Sequence, residues 1–363
     1  MATNLSSIFL NKSVLITGHT GFKGSWLSIW LKKLGANVIG YSLDPYTDYD
    51  NFNLCGLNNK IVDIRGDIRD SQKLQEVFNE YKPEFVFHLA AQAIVRKSYE
   101  NPKETYETNV IGTLNVLEAI RNCEATKVGI MVTTDKCYEN KEQIIGYKET
   151  DPMGGYDPYS SSKGCAELLI ASYRNSFFNK KDYSRHGKAI ASVRAGNVIG
   201  GGDWSQDRIV PDCIRSIQSG SKIAIRNPQA IRPWQFVLEP LSGYIILSAK
   251  MYSDPVKYSE AWNFGPDEKS NVKVKDVVEG IIEAYGSGEW KDVSDDLASH
   301  EANILLLDSG KAKEFLGWKQ ALNFKKTVDM TTSWYKNYQT KDMYEFCKLQ
   351  ISDYTKKQNA FIK

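Results

Sequence analysis

With 363 residues, of which 42% are hydrophobic, 12% aromatic and 25% charged, the chain has the size of one large or two modest domains and the make-up of an ordinary globular protein. That excludes disorder and collagen. Its 46 basic and 44 acidic residues leave a formal charge of +2, too even for a nucleic-acid backbone or an anionic bilayer to be the main partner. Six cysteines, at 55, 123, 137, 165, 213 and 347, have no CxxC or metal-finger spacing and read as small buried hydrophobes of a reducing, cytoplasmic compartment. The opening MATNLSSIFLNKS lacks a signal-peptide pattern, and no apolar run reaches the roughly 18 residues of a membrane span.

From Lys12 onward, short β-rich runs alternate with amphipathic stretches, the pattern of parallel strands joined by crossover helices. The runs SVLIT (13–17), NVIGYSL (37–43), 61–64, FVFHL (85–89), VGIMVT (128–133) and AIASVR (189–194) are the expected strands, with helices over 22–34, 71–81, 103–121 and 157–178. This predicts an α/β fold, a Rossmann-type doubly wound parallel sheet with a smaller, mixed C-terminal substrate domain. The expected division is 1–195 with about 233–264 for the cofactor, and 196–232 with 265–363 for the substrate. Helical text recurs at 240–252 and 273–285, and the lysine-rich end YTKKQNAFIK reads as a solvated tail.

The first strand ends in Thr17-Gly18-His19-Thr20-Gly21-Phe22-Lys23-Gly24, a TGxxGxxG turn entering a helix. Glycines suit a tight turn that a pyrophosphate must approach, with the anion resting on the free amides of the helix N-terminus. At the end of the second strand the first acidic position holds serine, and Asp44 follows two residues later. NAD is therefore favoured over NADP, and no arginine adjoins Asp44 in the sequence to receive a 2′-phosphate. Asp67 of GDIRD is placed either to accept from the adenine amine or to cap the next helix.

In DPYSSSKGCAELL, Tyr159 and Lys163 lie four apart at a helix start, on one face. A phenol is a poor base at neutral pH unless positive charge favours its anion, and Lys163 and an oxidised nicotinamide would both supply that. The glycine turn, the YxxxK pair and the upstream MVTTDK together resemble the extended short-chain dehydrogenase/reductase superfamily over almost the whole chain.

Thr134, Asp135 and Lys136 resemble the catalytic run of the nucleotide-sugar 4,6-dehydratase branch. Members acting on thymidine-diphosphate-glucose usually have glutamate where this chain has lysine. The strings TGHTGFKGSWL, HLAAQAIVR, TTDKCYEN, DPMGGYDPYSSSKGCAE, RAGNVIGGGDW and RNPQAIRPWQFVLEPLSGY, spread over 17–244, resemble the family in that branch that acts on CDP-glucose, which carries the lysine. The resemblance implies a lyase, specifically a hydro-lyase, in which NAD takes a hydride from C4 and returns it to C6. Tyr159, aided by Thr134, deprotonates the C4 hydroxyl, Lys136 takes the C5 proton, and Asp135 protonates the departing C6 hydroxyl. It further implies that Phe22, Ile68, Leu89, Ala90, Ala91, Thr108 and Thr133 line the cofactor. For Lys136 to act as base it must lose its proton, and an adjacent aspartate opposes that.

Asn197, Arg208 and Arg232 are the candidates for the substrate pyrophosphate, because guanidinium forks and amides suit it. Trp204 and Trp234 either flank the base or fill the core. His19, His88, His186 and His300 lack ligand spacing, so no metal is expected, and His88 reads as a core residue. The resemblance also implies a homo-oligomer, a dimer or dimer of dimers pairing through helices 103–121 and 157–178, and a place in 3,6-dideoxyhexose synthesis for a surface polysaccharide such as a lipopolysaccharide O-antigen. The rival readings are another NAD-dependent nucleotide-sugar dehydratase, a 4-epimerase, which needs only Thr134 and Tyr159, and a catalytically silent nucleotide-binding module.

Overall fold

The computed structural model describes residues 5–294 and 304–360; His300 lies outside them. Seven parallel strands form one sheet: β1 (Ser13–Thr17), β2 (Asn37–Ser42), β3 (Val62–Arg65), β4 (Phe85–His88), β5 (Val128–Val132), β6 (Ala189–Ala195) and β7 (Ala261–Phe264), in the order β7-β6-β5-β4-β1-β2-β3. The central strands are buried from end to end rather than alternately, as covering on both faces requires. The order reverses between β1 and β4, so a crevice opens at the carboxyl ends there, where open α/β sheets bind ligands.

The crossover helices are α1 (Phe22–Lys33), α2 (Ser71–Tyr81), α3 (Gly112–Asn122) and α4 (Pro158–Ser176). The expected helix over 103–121 is in three parts, Pro102–Tyr106, a wide π turn at Glu107–Ile111, and α3. The turn places Asn109 to clamp the residues after β4: its side chain accepts from the Gln92 amide at 2.9 Å and donates to the Gln92 carbonyl at 3.0 Å. Wide turns of this kind are frequent at functional sites.

One face of the sheet is covered by α2, α3 and α4 around Phe78, Leu117, Ile120 and Ile170. The other is covered by α1, α5 (Leu238–Ser253) and the later chain. Beyond β6 the strands are short pairs, Val198–Ile199 with Gln235–Phe236 and Ile231–Pro233 with Asn271–Lys273, flanked by α6 (Val274–Tyr285) and α7 (Phe324–Asn337). Residues 354–360 of the expected solvated tail, those that are described, are instead the end of α8 (Met343–Ala360), which packs on α1. Tyr354 is fully buried and meets Trp30 edge-on at 5.7 Å. Exposed Lys356, Lys357 and Asn359 gave the segment its polar look, whereas Gln358 is buried and donates to Ser242 Oγ at 2.9 Å.

Candidate active site

Beyond β5, Thr134 has extended backbone and its Oγ1 caps a single 3₁₀ turn, Asp135–Cys137. Opposite it, Asp157 caps α4 by accepting from the Ser160 amide at 2.9 Å, and Pro158 occupies the first turn. Tyr159 and Lys163 thus sit on the first two turns, facing the loop. Gly164 allows the approach: a Cβ there would lie 2.5 Å from the Gly154 carbonyl oxygen. The Thr134 hydroxyl stands near enough to the Tyr159 phenol to favour its anion, and it donates to Asp135 Oδ1 at 2.9 Å. Asp135 Oδ2 is buried without a partner and faces Gly196, where a Cβ would stand 2.9 Å from it. Lys163 Nζ donates to the Val132 carbonyl at 3.4 Å, and half-buried Lys136 completes the group.

Burial dominates the electrostatics. It pushes the Asp135 carboxyl up, against Lys136, the Thr134 hydroxyl, Lys23 and Arg232, all of which favour its charge. Asp135 is thereby suited to hold a proton and give it away. The Tyr159 phenol is pushed up to about 12 by burial, despite Thr134 and Arg208, and burial brings Lys163 down to about 8. Of the two positive charges expected to favour the phenolate, Lys163 is not among the groups acting on Tyr159, which leaves that of the cofactor. Desolvation exceeds what the neighbouring charges return, so a further positive charge is needed at the phenol.

The glycine turn fits a dinucleotide closely. Gly18 has φ +76°, and its Cβ would lie 2.7 Å from the Ala90 nitrogen; a Cβ on Gly24 would lie 2.1 Å from the Gly18 oxygen. Gly21 caps α1 without a side chain, leaving the helix amides open, and Phe22 packs against Gly200. Leu89, Ala90 and Ala91, all half-buried, follow β4 beside this turn, and half-buried Thr108 lies on the π turn. Ile68 is buried, its side chain closing on Gly112.

The adenosine end differs from expectation in two ways. Asp44 is exposed, and Arg65 stands 3.5 Å from it, because Ser42 and Arg65 are in register across β2 and β3. An arginine therefore does adjoin Asp44, across the sheet rather than along the chain. It also pairs with Asp63 at 2.8 Å and lies over Phe52. Asp67 does not cap the next helix. Asp70 does, accepting from the Lys73 amide at 3.0 Å, while Asp67 grips the Arg69 guanidinium, which holds its carboxyl below the usual range.

Among the substrate candidates, the carbonyl of Asn197 accepts from the Gln235 amide. Arg208 pairs with Asp203 at 3.2 Å and acts electrostatically on Tyr159. Arg232 acts on Asp135. Arg208 and Arg232 thus act on groups of the site, and Asn197 follows Gly196, which faces Asp135. Trp234 is buried, its indole donating to the Val272 carbonyl at 3.3 Å, and Trp204 packs between Tyr335 and Tyr338. His88 is a satisfied core residue between Thr17 and Thr113, brought down to about 3 by burial and thus neutral. Among the described residues, no His, Cys, Asp and Glu cluster could hold a metal ion.

Two features escaped the sequence reading. Lys23, on the first turn of α1, is brought down to about 8 by burial and by Arg208, and its charge favours that of Asp135. A lysine at a helix N-terminus, where the dipole disfavours it, was the available signal. The second is a buried group behind the loop, Glu167, Arg194 and Tyr138. Glu167 sits one helical turn beyond Lys163, and nothing in its sequence context marks it.

Residues 15–331 match the family model described as GDP-mannose 4,6 dehydratase. The chain is 48% identical to the CDP-glucose 4,6-dehydratase of Salmonella typhimurium, covering 94% of this chain and 96% of that one. It is 25% identical to the dTDP-glucose 4,6-dehydratase of Xanthomonas campestris, over 90% and 93%. Among solved structures it is similar to dTDP-glucose 4,6-dehydratase of Bacillus anthracis in complex with NAD, with a TM-score of 0.74, 21% identity and coverage of 90% and 97%. It is equally similar to UDP-glucose 4-epimerase of Thermotoga maritima, with a TM-score of 0.75, 22% identity and coverage of 90% and 99%.

Proposed function

The chain belongs to the GDP-mannose 4,6-dehydratase family of nucleotide-sugar 4,6-dehydratases, and from that premise we propose that it converts CDP-D-glucose to CDP-4-dehydro-6-deoxy-D-glucose and water. NAD, when bound, accepts the C4 hydride and later returns it to C6, so it is regenerated in each turnover. Gly18, Gly21, Phe22 and Gly24 hold its pyrophosphate, Asp44 its ribose and Asp67 its adenine, with Ile68, Leu89, Ala90, Ala91, Thr108 and Thr133 along its length and Lys163 at its other ribose.

Tyr159 takes the C4 hydroxyl proton, with Thr134 hydrogen-bonded to the same oxygen. The positive charge of the cofactor compensates for the burial that holds the phenol near 12. The resulting C4 carbonyl makes the C5 hydrogen acidic, since its loss leaves an enolate. Lys136 removes that proton, Asp135 gives its own to the C6 oxygen as water leaves, and once C6 has its hydride back Lys136 returns a proton to C5. Asn197, Arg208 and Arg232 hold the nucleotide diphosphate by hydrogen bonds and charge, while Trp234, expected to share in this, fills the core beside Arg232 instead.

The observation that carries this reading is the buried, unpartnered Oδ2 of Asp135 on a carboxyl raised by burial. A 4-epimerase needs Thr134 and Tyr159 but has no proton to deliver to C6. Exposed Ile111, Leu168 and Phe177 favour homo-oligomer pairing through 103–121 and 157–178, and six free cysteines favour a cytoplasmic setting. No described helix is long and apolar enough to cross a membrane. The division into a cofactor part, 1–195 with 233–264, and a sugar-binding part belongs to the same reading, as does supply of a precursor for 3,6-dideoxyhexoses of an O-antigen.

The test is turnover of CDP-glucose against dTDP-glucose, followed by the absorbance that 4-ketosugars develop in base. CDP-glucose is expected to react and dTDP-glucose to lag far behind. The reverse order contradicts the assignment, and a C4 epimer without ketosugar replaces it with epimerisation.

A further inference from the structure

Behind the catalytic loop lies a buried polar group that the proposed chemistry does not use. Glu167, on α4, accepts from Thr133 Oγ1, from Ser192 Oγ at 2.8 Å and from Arg194 Nη2 at 2.7 Å. Arg194, on β6, sends its other terminal nitrogen to the Tyr138 hydroxyl at 2.6 Å and lies over that ring. The Tyr138 hydroxyl in turn donates to Asn263 Oδ1 at 2.8 Å, on β7. The ion pair is almost wholly withdrawn from water, with side chains 4% and 2% exposed.

Replacing a buried ion pair with packed apolar side chains is often neutral or stabilising, so its presence argues weakly for stability. What it does provide is direction. Glu167 grips Thr133, one residue before Thr134, and Arg194 grips Tyr138, two residues after Lys136. The three residues read as catalytic are therefore held at both ends. The holding carboxylate stands on the helix that carries Tyr159 and Lys163, so the loop and that helix are locked in one relation. Tyr138 is fixed further by its stack with Tyr147, ring centres 5.2 Å apart, and Gly154 donates to the Cys137 carbonyl at 2.8 Å.

We propose that Glu167, Arg194 and Tyr138 are positioning residues that set loop 133–138 against the Tyr159 helix, so that proton abstraction at C4 and elimination across C5 and C6 are served from one substrate pose. This rests on reading that loop as catalytic. A misplacement of about 1 Å costs up to about a hundredfold in rate.

Tyr138→Phe is the sharpest probe, because it keeps both ring contacts and deletes only the hydroxyl that Arg194 reaches. The expected result is a kcat on CDP-glucose lowered by about ten- to a hundredfold, with KM little changed and the thermal midpoint lowered by only a few degrees, because Asn263 Oδ1 loses its donor. Reduced cofactor is expected to build up during turnover, because C4 oxidation outruns elimination. A kcat equal to wild type, or a loss that only tracks the folded fraction, overturns the proposal.

The second measurement needs no turnover: amide hydrogen exchange of wild type and Glu167→Gln. Residues 133–138 are expected to exchange at least about tenfold faster in the variant while β1 and β4 keep their protection. Equal protection of the loop contradicts the proposal. If wild type prefers another nucleotide sugar, the substrate assignment fails and the Tyr138→Phe ratio is read on that sugar. If it turns over none, the exchange experiment decides.

Discussion

Two buried carboxylates lie on opposite sides of one short loop, in regions that treat a negative charge in opposite ways. Around Asp135, burial prevails over Lys136, Thr134, Lys23 and Arg232, one oxygen has no partner, and the carboxyl is raised. Around Glu167, burial is outweighed by Arg194 and by the hydroxyls of Thr133 and Ser192, and the carboxyl is held below its usual range. The same functional group is suited to give a proton in front of the loop, the role proposed for Asp135, and is held as a fixed anion behind it. The difference lies in whether the surrounding donors are complete: an unfinished shell leaves a group free to react, a finished one makes it a strut.

That contrast can be broken or sharpened in five ways. Tyr159→Phe removes the proton acceptor at C4 and is expected to lower kcat by about a thousandfold, with bound cofactor retained, in steady-state assays of saturated enzyme. Glu167→Ala strands Arg194 without a counter-charge and is expected to cost about 3 to 5 kcal/mol in urea unfolding. A cost under about 1 kcal/mol would show that water reaches the site and that the two regions are less unlike than described. Asp135→Asn keeps the shape of the front region but carries no transferable proton, so dehydration falls about a hundredfold while reduced cofactor still forms on mixing with substrate. Lys136→Ala belongs with it: C4 oxidation persists and solvent exchange at C5 is lost.

The fourth test is thermodynamic. Lys163 is brought from 10.5 down to about 8 in the folded chain, so between those values the unfolded chain binds the extra proton. Stability therefore rises with pH across that window, by at most about 1.4 kcal/mol per pH unit from this group, and Lys163→Met should flatten that part of the slope. Lys23 contributes in the same direction. The smallest effect is expected at the exposed adenosine end. Asp44→Asn should weaken cofactor binding by only about threefold, since an exposed charge paired at 3.5 Å is worth under about 1 kcal/mol.

Much of the sheet was legible because its strands are short apolar runs between glycine-marked turns, and the helix over 71–81 coincides with Ser71–Tyr81. β7 was not read as a strand, since AWNF is four residues long and gains its identity only by pairing with β6. The π turn at Glu107–Ile111 was invisible to a 3.6-residue period. Arg65 meets Asp44 across the sheet and Arg194 meets Glu167 from strand to helix, and linear distance hides both contacts. The run 134–136 and the pair Tyr159 and Lys163, proposed here as catalytic, were legible through their place downstream of the glycine turn and the family resemblance of the strings around them, since a YxxxK alone is common. The group that holds them was not, because a glutamate on a helix looks like any other until the arginine meets it.

The whole scheme requires one hydrogen to travel within one sugar. CDP-glucose bearing deuterium at C4, turned over in ordinary water, should yield product with that deuterium on the C6 methyl and a solvent proton at C5. Deuterium lost to solvent, or still at C4 in the product, would contradict the account.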